Sequence, residues 1–343
     1  DNINSDISIE LFGQELNDQT YAICKSDQLI SGENPENIYG PLSTLTKDQL
    51  KDNKFDYIIA NPPYGVSWKS EEDEIKEEAK EPDGRFSAGT PRTSDGSLLF
   101  LQHMISKMNP EGSRIGVVFN GSPLFTGDAG SGESEIRKWI IENDWLECIV
   151  SLPDRMFFNT GITTYIWIVT NKKSNDRKGK VQLIDGSTFF SQLRKNLGNK
   201  GKYISEEQSQ QLFKIYQNNE ENEFSKIYPN NFFGYTKLIV EQPVIEDGEI
   251  KTDKKGNPKP DTSKRDTEQV PLSESIENYY EREVRSNLPN SWIDRSKDKI
   301  GYEINFTKYF YKFTPARSLE EISNDLKTLD DEIQKLSLEM TDE

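Results

Sequence analysis

The sequence predicts an α/β protein built on a doubly wound, mainly parallel sheet, and three observations carry that expectation. Short apolar runs recur at residues 55–60, 115–119, 146–152 and 164–169, each strand-length and closed by turn residues. Between them lie stretches with apolar residues at helical spacing, so strand and helix alternate. The first run stops at Asn61-Pro62-Pro63-Tyr64-Gly65, which puts a proline-fixed polar turn at a strand's carboxyl end, where open α/β sheets hold ligands. The same residues also read as a plain turn.

Residues 7–15 alternate loosely through Ile7, Ile9, Leu11 and Phe12 and suit a strand ending at Gly13-Gln14-Glu15. A helix follows, with Ala22 and Ile23 repeated seven residues on by Leu29 and Ile30, and Gly32 as its C-cap. Glu15 stands where nucleotide-type folds hold ribose hydroxyls, because a carboxylate accepts two hydrogen bonds side by side. It equally suits a solvated acid favoured by the helix dipole. The run at 55–60 reads as a strand buried on both faces. Residues 69–95 are charged and then dotted with Gly84 and Gly89, which predicts a long, mobile, substrate-facing loop. Leu98, Leu101, Ile105 and Met108 form a helical stripe ended by Asn109-Pro110-Glu111-Gly112. His103 falls between stripe positions, which assigns it to structure or solvent rather than to catalysis. A glycine-rich stretch at 121–132 leads into a helix from about Glu133, and the runs at 146–152 and 164–169 finish the sheet as a hairpin-like edge.

After Lys172 the character changes: residues 181–190 read as a strand and turn, 192–231 as polar helix and 235–242 as a strand. Residues 251–264 are a lysine, proline and aspartate run that suits a linker or exposed hairpin loop. In the tail, Leu319, Ile322, Leu326, Leu329, Ile333, Leu336 and Met340 alternate by three and four, a heptad seam opened by the capping box Ser318 and Glu321. Such a seam packs on a helix of this chain or of a partner. The expected domains are 1–190, an extension over 191–317 and a C-terminal helix over 318–343.

A net charge of -17 argues that this chain alone does not grip nucleic acid. Cys24 and Cys148, in apolar segments, suit free thiols of a reducing cytoplasm, and one histidine with two cysteines leaves few ligands for a metal. The polar opening reads as no signal peptide, and no apolar run is long enough to span a bilayer.

The turn has the groups that an amino-methylating site requires. An adenine amino nitrogen is a poor nucleophile because its lone pair is delocalised into the ring. Two acceptors on its hydrogens, the Asn61 side-chain oxygen and the Pro62 carbonyl, favour a pyramidal nitrogen, and proline fixes the carbonyl's direction. Tyr64 offers a stacking face worth ~1–3 kcal/mol per base. The base must first leave the duplex. Transfer from S-adenosylmethionine rests on positioning and electrostatics rather than a strong base.

Asn61-Pro62-Pro63-Tyr64 is similar to the signature of amino-methylating S-adenosylmethionine enzymes, which RNA and protein-glutamine methylases share. With Gly13-Gln14-Glu15-Leu16-Asn17, Asp95-Gly96-Ser97-Leu98-Leu99-Phe100, Phe158-Asn159-Thr160-Gly161-Ile162, Lys254-Lys255-Gly256-Asn257-Pro258 and Gly301-Tyr302-Glu303-Ile304, the chain resembles the modification subunit of type I restriction-modification enzymes over nearly its whole length. The resemblance implies a Rossmann-like S-adenosylmethionine-dependent methyltransferase sheet with an α-rich C-terminal extension, acting on adenine N6. It implies Asn61, Pro62, Pro63 and Tyr64 as the catalytic turn, Glu15 and Phe100 as cofactor contacts, and Phe157 or Phe158 as a second aromatic on the flipped base. Implied partners are double-stranded DNA, a specificity subunit reached through 318–343, a second modification subunit and the restriction subunit. Two departures stand out: the family's glycine-rich cofactor loop before the Glu15 strand is absent, and Gly40-Pro41-Leu42 stands where relatives carry an acid. The chain is therefore expected to be a C-terminal piece that binds the cofactor poorly by itself. Competing expectations are an RNA or protein-glutamine methylase and a non-catalytic assembly module.

Overall fold

The computed structural model describes residues 9–313 and 318–341. The chain divides into one compact unit ending at Phe306 and a second from Thr307 onward. The first unit contains the sheet that the apolar runs predict. Its strands are β3 (Tyr57–Ala60), β4 (Arg114–Phe119), β5 (Leu146–Ser151), β6 (Tyr165–Thr170), β7 (Lys180–Asp185) and β10 (Ser225–Pro229), in the order β10-β7-β5-β6-β4-β3. A separate parallel pair, β1 (Gly13–Gln14) and β2 (Ile38–Tyr39), precedes them, and a hairpin, β8 (Ser191–Leu197) with β9 (Lys200–Tyr203), follows β7.

Within the six-stranded sheet β3 is parallel to β4, β6 is antiparallel to both β4 and β5, and β5 is parallel to β7. The carboxyl ends of β3, β4, β5 and β7 therefore open at one edge, together with the start of β6. One face of the sheet carries Ile115, Val117, Trp167, Ile149 and Leu183, all without solvent exposure, and Phe119 meets Trp167 edge to face at 5.7 Å. On the other face Cys148, Val150 and Ile184 are covered by Leu212, Ile215 and Tyr216 of α6 (Glu206–Asn218). Burial pushes the Cys148 thiol well above its ordinary range, so it stays protonated.

Helix boundaries follow local chemistry. α1 (Asp18–Ser31) starts at Asn17, whose side chain accepts from the backbone of Gln19 and Thr20, and ends at left-handed Gly32. The seven-residue repeat correctly marks this helix, but its apolar members stay outside: Ile23, Leu29 and Ile30 are exposed. α3 (Ser97–Ser106) buries Leu98, Leu101 and Ile105 and packs against β4 and α5 (Gly132–Glu142).

Several expectations need correction. β3 is an edge strand, paired among the described residues with β4 alone, and it is not buried on both faces: Tyr57 and Ile59, on one face, are exposed, Ile59 to 89%, while Ile58 and Ala60 on the other are half-buried. Residues 69–95 are a folded cap, not a loose loop. They contain α2 (Glu72–Glu78) and bury Ile75 and Phe86 with Trp68 against Leu45 and Leu99. Three large apolar side chains suffice to order a segment that is otherwise charged. Arg85 locks the cap, donating to Glu78 at 2.6 Å, to the carbonyls of Thr44 and Leu45, and lying 2.9 Å from Nδ1 of His103. β6 lies inside the sheet rather than at its edge, and β10 extends the sheet past residue 190.

Residues 192–231 are α-helical only over α6, with the hairpin before it, β10 after it and a 3-10 turn from Asn230 at the end. β11 (Gly234–Glu241) matches the expected strand and centres a second antiparallel sheet with Asp266–Pro271, Trp292–Ile293 and Lys299–Tyr302. Fully buried Arg137 ties this sheet to the first, donating to Tyr302 O at 2.6 Å, Pro123 O at 3.1 Å and Thr126 O at 2.8 Å.

In the second unit, the helix Leu319–Thr341 opens with the expected box: Ser318 N donates to Glu321 Oε2 at 3.0 Å and Glu321 N to Ser318 Oγ at 3.2 Å. Leu319, Leu326, Leu329 and Ile333 of its seam are exposed, while the side chains of Leu336 and Met340 lie outside the described residues. No helix among the described residues is long and apolar enough to cross a membrane.

Candidate active site

β3 delivers its turn directly to the carboxyl edge of the sheet. Pro62 is buried while Asn61 and Pro63 are exposed, so Pro62 anchors the turn and the amide faces outward. Tyr64 folds back, and its hydroxyl donates to Asn61 Oδ1 at 2.8 Å. Burial pushes the Tyr64 phenol up to about 12, so it remains a donor at neutral pH. Behind the turn, Gly96 N donates to Val66 O and Trp68 N to Thr93 O, which fastens the chain after Gly65 to the start of α3. Asp95 closes that helix start, Oδ1 accepting from Ser97 N at 3.1 Å and Ser97 Oγ at 2.6 Å.

The loop between β5 and β6 leaves the same edge. In the sheet order only β4 separates β6 from β3, so the loop's return point and the turn are two strand spacings apart, roughly 10 Å. This loop presents half-buried Phe157 and Phe158, which is 56% exposed, with the Lys200 ammonium 4.9 Å from the Phe158 ring centre. The sheet thus brings the Asn61 turn and the Phe157–Phe158 loop to one edge.

Glu15 and Phe100 are placed differently. Glu15 directly follows β1, and neither β1 nor β2 is hydrogen-bonded to the six-stranded sheet. Its backbone is fixed on both sides, Glu15 N donating to Tyr39 O and Leu42 N to Glu15 O. One carboxylate oxygen accepts from Asn17 N at 2.7 Å, and the other has no partner among the described residues. The tilted rings of Phe12 and Phe55, 5.5 Å between centres, connect this pair to the segment entering β3. Phe100, half-buried on α3, packs on the cluster of Leu45, Trp68, Ile75, Phe86 and Leu99. His103 is half-buried in the cap, where burial, with the Arg85 guanidinium beside it, pushes it down to about 4.

Sequence reasoning passed over the cations of the β8–β9 hairpin, which stands beside the Phe158 loop. Two signals were available: the Gly198-Asn199 turn, and a run between Asp185 and Glu206 that contains no acid.

Against known proteins, a family model described as N-6 DNA Methylase matches residues 1–250. The chain belongs to the N-6 DNA methylase family. Curated relatives in that group include the type I restriction enzyme HindI methylase subunit of Haemophilus influenzae, 34% identical over 184 residues, covering 54% of this chain and 38% of the relative. The MjaIX methylase subunit of Methanocaldococcus jannaschii is 27% identical over 255 residues, covering 71% of this chain and 42% of the relative. Among solved structures, the type I restriction-modification methyltransferase subunit from Streptococcus thermophilus superposes with a TM-score of 0.56 at 25% identity, covering 65% of this chain and 46% of that one. The mixed α/β sheet is therefore the methyltransferase fold of this N-6 DNA methylase group. The chain spans about two fifths of the length of the curated relatives it matches.

Proposed function

We propose that this chain carries the adenine-handling part of an adenine-specific DNA methyltransferase, the modification subunit of a cytoplasmic type I restriction-modification system. The observation that carries this reading is the exposed amide of Asn61 on a proline-anchored turn at the carboxyl edge of an N-6 DNA methylase sheet. In that role Asn61 Oδ1 accepts one hydrogen of the flipped adenine's amino group and the Pro62 carbonyl accepts the other. The Tyr64 hydroxyl, which now occupies Asn61 Oδ1, gives way to the amino group. Tyr64 and Phe157 or Phe158, entering from loops roughly 10 Å apart, hold the base between aromatic faces.

The free oxygen of Glu15 supports a ribose contact and half-buried Phe100 an adenine contact for S-adenosylmethionine. Bound there, the cofactor supplies a methyl group on a sulfonium sulfur. The Tyr64 phenol, held near 12, does not take up the amine proton at neutral pH, which leaves that proton to water. The exposed seam residues Leu319, Leu326 and Leu329 support docking of the C-terminal helix on a helix of the specificity subunit. A second modification subunit and the restriction subunit complete the proposed assembly.

The test is methyl transfer from labelled cofactor to duplex DNA by the complete assembly. Asn61→Ala is expected to lower it on the order of 10²–10³-fold, as for loss of one preorganised polar contact to the reacting centre. Tyr64→Phe, which keeps the stacking face, is expected to stay within about tenfold of the parent. Undiminished transfer by Asn61→Ala overturns the assignment.

A further inference from the structure

The chain is strongly acidic, yet its acids avoid the loops around the Phe157–Phe158 segment. No Asp or Glu lies between Asp154 and Asp176, and none between Asp185 and Glu206. The second interval is the β8–β9 hairpin, which carries Arg194, Lys195, Lys200 and Lys202. Because β7 ends at the carboxyl edge, the hairpin that follows it starts from the edge that holds the Asn61 turn.

The hairpin is fastened to the aromatic loop through backbone. Asn199 N donates to Phe158 O at 3.0 Å, and Gly201 N to Arg155 O at 3.0 Å. Gly198 makes this approach possible: its φ is +63°, and a Cβ there would stand 2.8 Å from Phe158 O. Two of the four cations have local tasks, Lys202 pairing with Asp154 at 2.5 Å and Lys200 lying over the Phe158 ring. Arg194 and Lys195 are exposed and have no anionic partner among the described residues. A pair of unneutralised cations on an anchored hairpin, in a chain with a net charge of -17, calls for an anion from outside.

We propose that the β8–β9 hairpin is a DNA-backbone clamp: Arg194 and Lys195 contact phosphates flanking the extruded base, and the hydrogen bonds to Phe158 and Arg155 set the aromatic loop's position relative to that backbone. This rests on the DNA reading above and adds to it a sequence-independent grip supplied by this chain itself. Phosphate contacts fix register without reading bases. The clamp thus leaves recognition of the target sequence to other elements.

The experiment measures duplex binding by fluorescence anisotropy across a salt series, with methyl transfer in parallel, on the complete assembly. It compares the parent, Arg194→Gln/Lys195→Gln, and the charge-matched control Lys178→Gln/Lys180→Gln. The control residues are exposed at the amino end of β7, the opposite edge of the sheet. With two phosphates no longer neutralised by the protein, the slope of log affinity against log salt is expected to fall by roughly 2 in the hairpin variant and not in the control. The KM for DNA is expected to rise at least about tenfold at physiological salt, with kcat within about twofold. An unchanged slope and KM overturn the clamp, as does an equal loss in the control or a parent assembly that does not hold duplex. A lowered slope with transfer insensitive to Asn61→Ala keeps the clamp and rejects the methylase assignment instead.

Discussion

β3 and β5 are both short apolar strands of one sheet, and each ends in a loop of the proposed site, yet their surroundings are opposite. Every residue of β5 is buried, between β6 and β7 and beneath α6. In β3, an edge strand paired among the described residues with β4 alone, Tyr57 is 77% and Ile59 89% exposed on one face, while Ile58 and Ala60 on the other are half-buried. The difference teaches that an apolar side chain contributes to stability through what its neighbours cover, not through its own hydropathy. The aromatic loop is consequently mounted on the most firmly held part of the sheet, and the Asn61 turn on its least covered strand. The turn's own order comes from elsewhere, from buried Pro62 and from the hydrogen bonds of Val66 and Trp68 to the start of α3.

This contrast can be broken at both ends. Trp167→Ala, beside β5 in the closed part of the sheet, removes a side chain with no solvent exposure and, with it, the edge-to-face contact to Phe119. It is expected to cost about 3–5 kcal/mol of unfolding free energy, read by denaturant titration. An intermediate effect is expected in the cap. His103 has its pKa lowered to about 4 in the fold, so the unfolded chain binds a proton there first as pH falls. The contribution is fully present above about 6.5 and is lost as pH drops toward 4, on the order of 3 kcal/mol in all. Burial pushes the carboxyls of Asp48 and Glu78 up, but Lys107 and Arg85 beside them bring both below the ordinary range, so their losses come at lower pH. His103→Asn is expected to remove the acid slope between 6.5 and 4 in a stability profile and to leave the lower-pH loss in place. The smallest effect belongs to the open edge. Ile59→Thr is expected to move stability by less than about 0.5 kcal/mol, while lowering self-association seen by light scattering, because an uncovered apolar strand edge templates pairing.

The strands were legible because short apolar runs closed by glycine, proline and asparagine have few other readings. The turn was legible for the same reason, since two consecutive prolines fix where the strand must stop. What misled were segments whose fold rests on a few residues. Ile75 and Phe86 anchor the cap within a field of glutamates, too sparse to give a period. The β8–β9 hairpin has little hydrophobic alternation, and Leu197 at its tip is half exposed, so composition pointed to polar helix. Burial of β3 could not be read from its own residues, because which face of the strand is covered depends on what packs against the sheet. Within the proposed site, the sequence pointed to Asn61 and Tyr64 but could not show that the Tyr64 hydroxyl donates to the amide oxygen of Asn61.

Arg137 has a consequence for the order in which the molecule is completed during synthesis. Its guanidinium, lowered to about 10 by burial, is satisfied by carbonyls at 123, 126 and 127 and by Tyr302, 165 positions further along the chain. Until the ribosome has released residue 302, one face of that cation lacks its acceptor and the loop after β4 lacks its far wall. The carboxyl edge of the sheet is thus among the last parts to settle, so a nascent chain exposes an unfinished site until its second sheet arrives.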